Sequence, residues 1–205
     1  MKIVYECGKI MGTKRYQSDE LFVKDNVFAV ADGMGDKNAG KLASKIAIQL
    51  LEENLYNLEK AFITINKEII NRLSKHADGL ICGTTLSVVK LDFESSRYNV
   101  YHAGDSKVFL IRNKSLIPLT VDQNKIENGK KYVKALGINW HVDIYKQEGE
   151  ILQNDVFFIS TDGICDIIDL FDELPDKTPK GIKDFIVSHK DKLIDNLSFI
   201  VLKVF

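Results

Sequence analysis

The chain reads as an α+β domain built on antiparallel sheets. Two short apolar segments with strand character come first, and two stretches with helical spacing follow between residues 39 and 76. A long run of strand-like segments then continues to the apolar stretch Leu197 to Phe205. Blocks of strands and helices, rather than regular alternation, indicate layers with antiparallel pairing. The length of 205 residues fits one domain over 1–205. Such a chain buries about 70% of its unfolded surface, so no disulfide or structural metal is needed for folding.

Residues 20–32 (ELFVKDNVFAVAD) predict two strands around a Lys24-Asp25-Asn26 turn. Residues 39–56 place Leu42, Ala43, Ile46, Ala47 and Leu50 on one stripe, with Asp36 or Asn38 as cap. A second helix over 58–76 carries Phe62, Ile65, Ile69 and Leu73 at three- and four-residue steps. Both stripes read as core faces. After Gly79, strands are expected at 81–91, 97–103, 107–112, 141–148 and 155–161, with Gly104-Asp105-Ser106 as a tight turn. Residues 122–131 are polar and predict a loop or small flap. Residues 168–180, with Pro175 and Pro179, read as an irregular connector before a short helix at 180–190 and a last strand at 197–205.

Composition excludes several classes. Lys+Arg is 28 against Asp+Glu 29, so the basic surplus of a nucleic-acid binder is missing. Cys7, Cys82 and Cys165 are far apart and form no CxxC, which rules out a Cys-rich zinc site and argues against a disulfide framework. The N-terminal apolar run is too short for a signal peptide, and no 18-residue apolar stretch exists. A reduced, cytoplasmic compartment is expected, without membrane contact.

The informative feature is the placement of aspartates. Asp32 follows Val27–Ala31, Asp162 follows Val156–Thr161, Asp105 sits between two strands, and Asp195 opens the last strand. Carboxylates at strand ends can converge on a hard cation such as Mg²⁺ or Mn²⁺. Asp-Gly also simply makes turns, and both readings stand at this point.

The segments VFAVADGMGDKNAGKLAS (27–44), CGTTLSVV (82–89), HAGDSKVFLIR (102–112), PLT (118–120) with Asp122, ALG (135–137), FISTDGICD (158–166) and DNLSFIV (195–201) stand in an order and at separations that resemble the PP2C-type (PPM) metal-dependent Ser/Thr protein phosphatases. The resemblance spans about residues 12–204 and is nearest to compact bacterial members. It implies a four-layer αββα sandwich of two antiparallel sheets flanked by helices, with the metal site at one edge. It also implies two tightly bound Mn²⁺ or Mg²⁺ ions and a third, weaker one. By the same resemblance Asp32 would bridge two metals, the Gly33 carbonyl would bind the second, and Asp162 and Asp195 would bind the first. Asp105, with Asp162, would hold the third, and Asp19 would orient metal-bound water. The implied activity is hydrolysis of phosphoserine and phosphothreonine in proteins. The expected partners are phosphorylated proteins and a Ser/Thr kinase, and the chain is expected to be a monomer.

The sequence departs from that family at several points. Gln17-Ser18-Asp19 stands where the family has Asn-Glu-Asp. Arg15, the expected phosphate-binding residue, keeps a Gly-x-x-Arg register with Gly12 but lies four residues before Asp19 instead of five. Lys14 is the competing choice. Asp36 replaces a Gly, which adds negative charge beside the metals, and the flap at 122–134 looks short. These changes motivate a rival reading, a PP2C-like module that binds phosphoproteins without catalysis. His76, His102, His141 and His189 match no ligand spacing, although His102 could orient a site group. Cys165 reads as a small core residue, and Thr84 and Thr85 as strand packing or support for metal-bound water.

Overall fold

The computed structural model describes residues 2–73, 82–127, 130–174 and 176–205. His76, Gly79, residue 81, Pro175 and the expected helix end at 74–76 lie outside them. Fourteen strands are described: β1 (Ile3–Ile10), β2 (Glu20–Lys24), β3 (Val27–Ala31), β4 (Gly33–Met34), β5 (Gly83–Thr84), β6 (Leu86–Asp92), β7 (Arg97–Ala103), β8 (Lys107–Arg112), β9 (Ser115–Pro118), β10 (Lys125–Glu127), β11 (Lys130–Tyr132), β12 (Tyr145–Glu150), β13 (Val156–Ser160) and β14 (Leu197–Val204). The α-helices are α1 (Lys37–Glu53), α2 (Leu58–Leu73) and α3 (Pro179–Ser188), and 3₁₀ turns span Asp162–Asp166 and Ile168–Glu173. None of the described helices is long and apolar enough to cross a membrane.

Two antiparallel five-stranded sheets, ordered β1-β14-β13-β8-β9 and β12-β7-β6-β3-β2, form the centre. Strand alternation distributes side chains between three apolar interfaces. In β3, Val27, Ala29 and Ala31 face α1 and α2, where Ile46, Leu51, Phe62, Ile65 and Ile69 are buried. Phe28 and Val30 face the opposite way and meet Phe157, Ile159, Ile200 and Leu202 between the sheets. On the far side, Phe158, Phe199 and Val201 pack beneath Ile182 and Ile186 of α3. The result is the expected αββα layering. Because both faces of the central strands are covered, β3, β13 and most of β14 read as continuous apolar runs.

The helices follow local chemistry. Asp36 caps α1, its Oδ1 accepting the N–H groups of Asn38 at 3.0 Å and Ala39 at 2.9 Å. Thr178 caps α3, and Pro179 supplies the first helical position instead of belonging to the connector. Leu42 is 43% exposed, so the α1 stripe turns through Leu51 instead. The strand expected at 141–148 runs from 145 to 150, because its register is set by β7, with Tyr145 opposite His102 and Glu150 opposite Arg97. The strand β1, unforeseen in the sequence, is an edge strand on β14, and Val4, Tyr5 and Lys9 are exposed on it.

The ring of Phe158 stacks on Phe171 at 5.2 Å and on Phe109 at 6.1 Å, fully buried between the β1-β14-β13-β8-β9 sheet and the outer helical layer. Phe158→Ala is expected to cost about 3–5 kcal/mol, the usual penalty for emptying such a site. Urea unfolding should show a lower midpoint at an unchanged slope.

Candidate metal centre

At one edge of the sandwich, strand ends from both sheets open into a cleft of about 360 Å³. Asp32 follows β3, Asp105 sits in the turn between β7 and β8, Asp162 follows β13, and Asp195 precedes β14. All four line this cleft, together with Gly33, Lys14, Arg15 and Ser18. Asp19 is not part of the lining. It is fully buried behind the cleft, where its Oδ2 accepts the Thr161 hydroxyl at 2.9 Å.

The backbone around Asp32 is clamped. Its N–H donates to Thr85 Oγ1 at 3.0 Å, and its carbonyl accepts the Thr85 N–H and the Thr84 hydroxyl, both at 2.9 Å. The Thr85 hydroxyl also meets Ser106 Oγ at 2.8 Å, next to Asp105. The two threonines thus position the carboxylates through their hydroxyls, a role that strand packing alone does not capture. Gly33 lies flat against α1: an added Cβ would stand 2.2 Å from the Gly40 carbonyl oxygen, so neither glycine tolerates a side chain. Gly104 adopts φ +123°, a conformation open to glycine, and this reverses the chain at Asp105.

Asn196 joins the third segment to the first. Its side chain accepts the Ser18 N–H at 2.9 Å and donates to the Met11 carbonyl at 2.8 Å, fixing the 11–18 loop over β14. Asp166 accepts the N–H groups of Ile194 and Asp195. Neither Asp166 nor Asn196 carries a spacing signal that marks these contacts in the sequence.

The electrostatics are those of crowded anions. Asp32 is pushed well above the usual carboxylate range, by burial first and then by the charges of Asp19 and Asp162. It shares a hydrogen bond with Asp162, which is itself raised by burial and by Asp105. Burial lifts Asp19 to about 6, against the opposing pull of the Thr161 hydroxyl. His102 is held near 4 by burial. Its neutral ring bonds Ser87 and the carbonyls of Gly104 and Val121, so it braces the Asp105 turn.

Among the described residues, no three His, Cys, Asp or Glu side chains are drawn together tightly enough to enclose an ion. The two outer carboxylates point to protein partners: Asp195 Oδ2 pairs with Lys14 Nζ at 2.9 Å, and Asp105 Oδ2 accepts from Asn124 Nδ2 at 2.6 Å. Two inner oxygens, Asp162 Oδ1 and Asp19 Oδ1, are buried with no hydrogen-bond partner. Orphaned anionic oxygens beside an all-oxygen donor set fit hard divalent cations.

Residues 24–197 match the stage II sporulation protein E (SpoIIE) family. The chain belongs to that family, among the PPM-type phosphatases. A Ser/Thr phosphatase, stp, of Listeria monocytogenes is 27% identical over 177 residues, covering 71% of this chain and 69% of its own. The structure of PppA, a regulatory component of T6SS in Pseudomonas aeruginosa, superimposes with a TM-score of 0.86 at 18% identity, over 100% of this chain and 99% of that one. The PstP catalytic domain in complex with two manganese ions does so with a TM-score of 0.83 at 21% identity, over 99% of each chain.

Within this PPM domain the departures acquire positions. Asp36 caps α1 and does not line the cleft, so its charge meets the helix N-terminus. Ser18 lies on the cleft wall, its carbonyl accepting the Ser44 hydroxyl at 2.6 Å. Cys165 is exposed rather than a core residue.

The raised Asp19 generates a pH prediction. The native carboxyl keeps its proton to about pH 6, whereas the unfolded one loses it near pH 3.9. Between these values the native state binds more protons, so this group's effect is to lower stability as pH rises. In metal-free protein, Asp19→Asn should therefore gain on wild type between pH 4.5 and 6.5. Urea midpoints measured in chelator at the two pH values check the sign.

Proposed function

We propose that this PPM domain is a protein-serine/threonine phosphatase that hydrolyses phosphoserine and phosphothreonine with bound Mn²⁺ or Mg²⁺. The observation that carries the reading is the convergence of Asp32, Asp105, Asp162 and Asp195, from four separate segments, on one cleft. The Ser/Thr phosphatase activity named for the Listeria relative and the manganese ions of the PstP structure support it.

Asp32, Asp162 and Asp195, with the Gly33 carbonyl, would hold two ions, and Asp105 would support a third. When bound, such ions supply an acidified water as nucleophile and neutralise phosphate charge. The chain's own residues do the rest. Asp19, buried and bonded to Thr161, sits behind the ligand set and fixes its inner wall. Thr85 and Ser106 hold the Asp32 and Asp105 segments at a set separation. Arg15, exposed at the cleft rim, is the cation for the outer phosphate oxygens, because its planar fork binds two oxygens together. Lys14 is engaged by Asp195, which leaves Arg15 for this task. Phosphorylated proteins are the substrates, with a Ser/Thr kinase as the opposing enzyme.

The deciding assay is manganese-dependent hydrolysis of an aryl phosphate and then of phosphopeptides. Asp162→Asn should lower turnover by more than about 100-fold, beyond the cost of losing a contact to a metal ligand. Full manganese-dependent activity in that variant rejects the assignment. Arg15→Ala should lower kcat/KM on a phosphopeptide by about ten- to a hundredfold, the scale of a lost charge-assisted hydrogen bond, whereas Lys14→Ala should change it little. Measuring kcat and KM separately shows whether Arg15 acts in the ground state alone or also in the transition state.

A further inference from the structure

The segment after β9 does more than lead into the hairpin β10–β11. The backbone N–H of Gln123 donates to the Gly104 carbonyl at 3.0 Å, and its side-chain oxygen accepts the Gly104 N–H at 2.7 Å. Its amide nitrogen reaches the Asp143 carbonyl at 3.1 Å. Asn124 is two-sided in the same way. Its Nδ2 donates to Asp105 Oδ2 at 2.6 Å, and its Oδ1 accepts the Lys134 N–H at 2.9 Å. Lys134 follows β11 just as Asn124 precedes β10, so one side chain spans the base of the hairpin and ends on a carboxylate of the cleft.

We propose that Asn124 is a positioning residue that locks the hairpin β10–β11 to Asp105 and aims that carboxylate into the cleft. A carboxylate has two oxygens, and Asn124 engages only Oδ2. Holding one oxygen fixes the rotation of the group and presents Oδ1 in a single direction. This matters more for Asp105 than for Asp32, whose backbone is bonded on both sides by Thr84 and Thr85. Asp105 lies in a three-residue turn held from outside it: by His102 beneath the Gly104 carbonyl, by Gln123 on both polar groups of Gly104, and by Asn124 on the carboxylate itself. Because the Asn124 amide also holds Lys134, the aim of Asp105 and the seat of the hairpin are one variable. Binding at Asp105 and ordering of the hairpin base must then favour each other, since coupling between two sites is reciprocal. Residues that hydrogen-bond a metal ligand typically contribute ten- to a hundredfold to metal affinity.

The inference rests on the metal-centre reading, so the experiment separates the two. The metal-free full chain is examined first by amide hydrogen exchange. The Lys134 N–H should be protected in wild type and exchange about tenfold faster or more in Asn124→Ala, while amides of β13 and β14 stay unchanged. Mn²⁺ is then titrated, and bound ions are counted by electron paramagnetic resonance. The tight component should match wild type in Asn124→Ala, and the weak component should lose about tenfold or more in affinity. Saturating Mn²⁺ should slow Lys134 exchange further in wild type but not in the variant. Lys134→Ala keeps the backbone donor and removes only the ion pair with Asp143, so its Mn²⁺ titration should match wild type. Equal Lys134 exchange in wild type and Asn124→Ala overturns the lock. An unchanged weak component in Asn124→Ala, or an equal loss in Lys134→Ala, overturns the aiming of Asp105. No Mn²⁺ binding by wild type overturns the metal-centre reading, and with it the aiming, even where the exchange result upholds the lock.

Discussion

Carboxylate repulsion is the constraint around which this molecule is organised. Asp19, Asp32 and Asp162 lie within one another's fields in a largely dehydrated corner, and each is driven toward its neutral form. Left to themselves, such groups would separate or open the edge of the sandwich to water. They stay because the backbone that carries them cannot move: Asp32 is bonded on both sides by Thr84 and Thr85, and Asp162 begins a 3₁₀ turn just past the fully buried β13. The rigidity of the apolar layers is what allows this concentration of charge at their margin.

The site is graded from inside to outside. The inner carboxylates are fixed by hydroxyls and backbone, through Thr161 on Asp19 and Thr85 on Asp32. The outer two are partly solvated, and each meets one side chain from a loop, Lys14 on Asp195 and Asn124 on Asp105. A surface pair such as Lys14–Asp195 contributes at most about 1 kcal/mol. An incoming cation can therefore take the place of Lys14 on Asp195 at little cost, while the inner frame and the Asn124 bond to Asp105 stay in place.

Much of this was legible in the sequence, and the reason is local. The turn at Asp25, the helix stripe through Phe62, Ile65 and Ile69, and the apolar runs ending at Asp32 and Asp162 are short-range signals that tertiary packing reinforced. The strand β1 was not legible, because its apolar residues Ile3, Val4, Tyr5, Cys7 and Ile10 show no period-two alternation and none of its side chains is fully buried. The parts of the site that escaped notice depend on long separations. Asn196 reaches Met11 across 185 residues, and Asn124 meets Asp105 across 19. No periodicity or spacing announces a single amide that bridges two loops.

Asp36 shows how a charge count along a sequence can mislead. Four residues from Asp32, it reads as one more anion in an overloaded site. In three dimensions the chain turns at Gly35, which has φ +119°, and the Asp36 carboxylate meets two N–H groups at the start of α1. A capping carboxylate interacts favourably with the positive end of its helix, by roughly 0.3–1 kcal/mol. The substitution therefore strengthens the element that packs on Gly33, where the Gly40 backbone approaches too closely to admit any side chain. What looked like added repulsion in the centre secures the helix that forms its wall, so Asp36 gives no reason to place this chain among catalytically silent PPM domains.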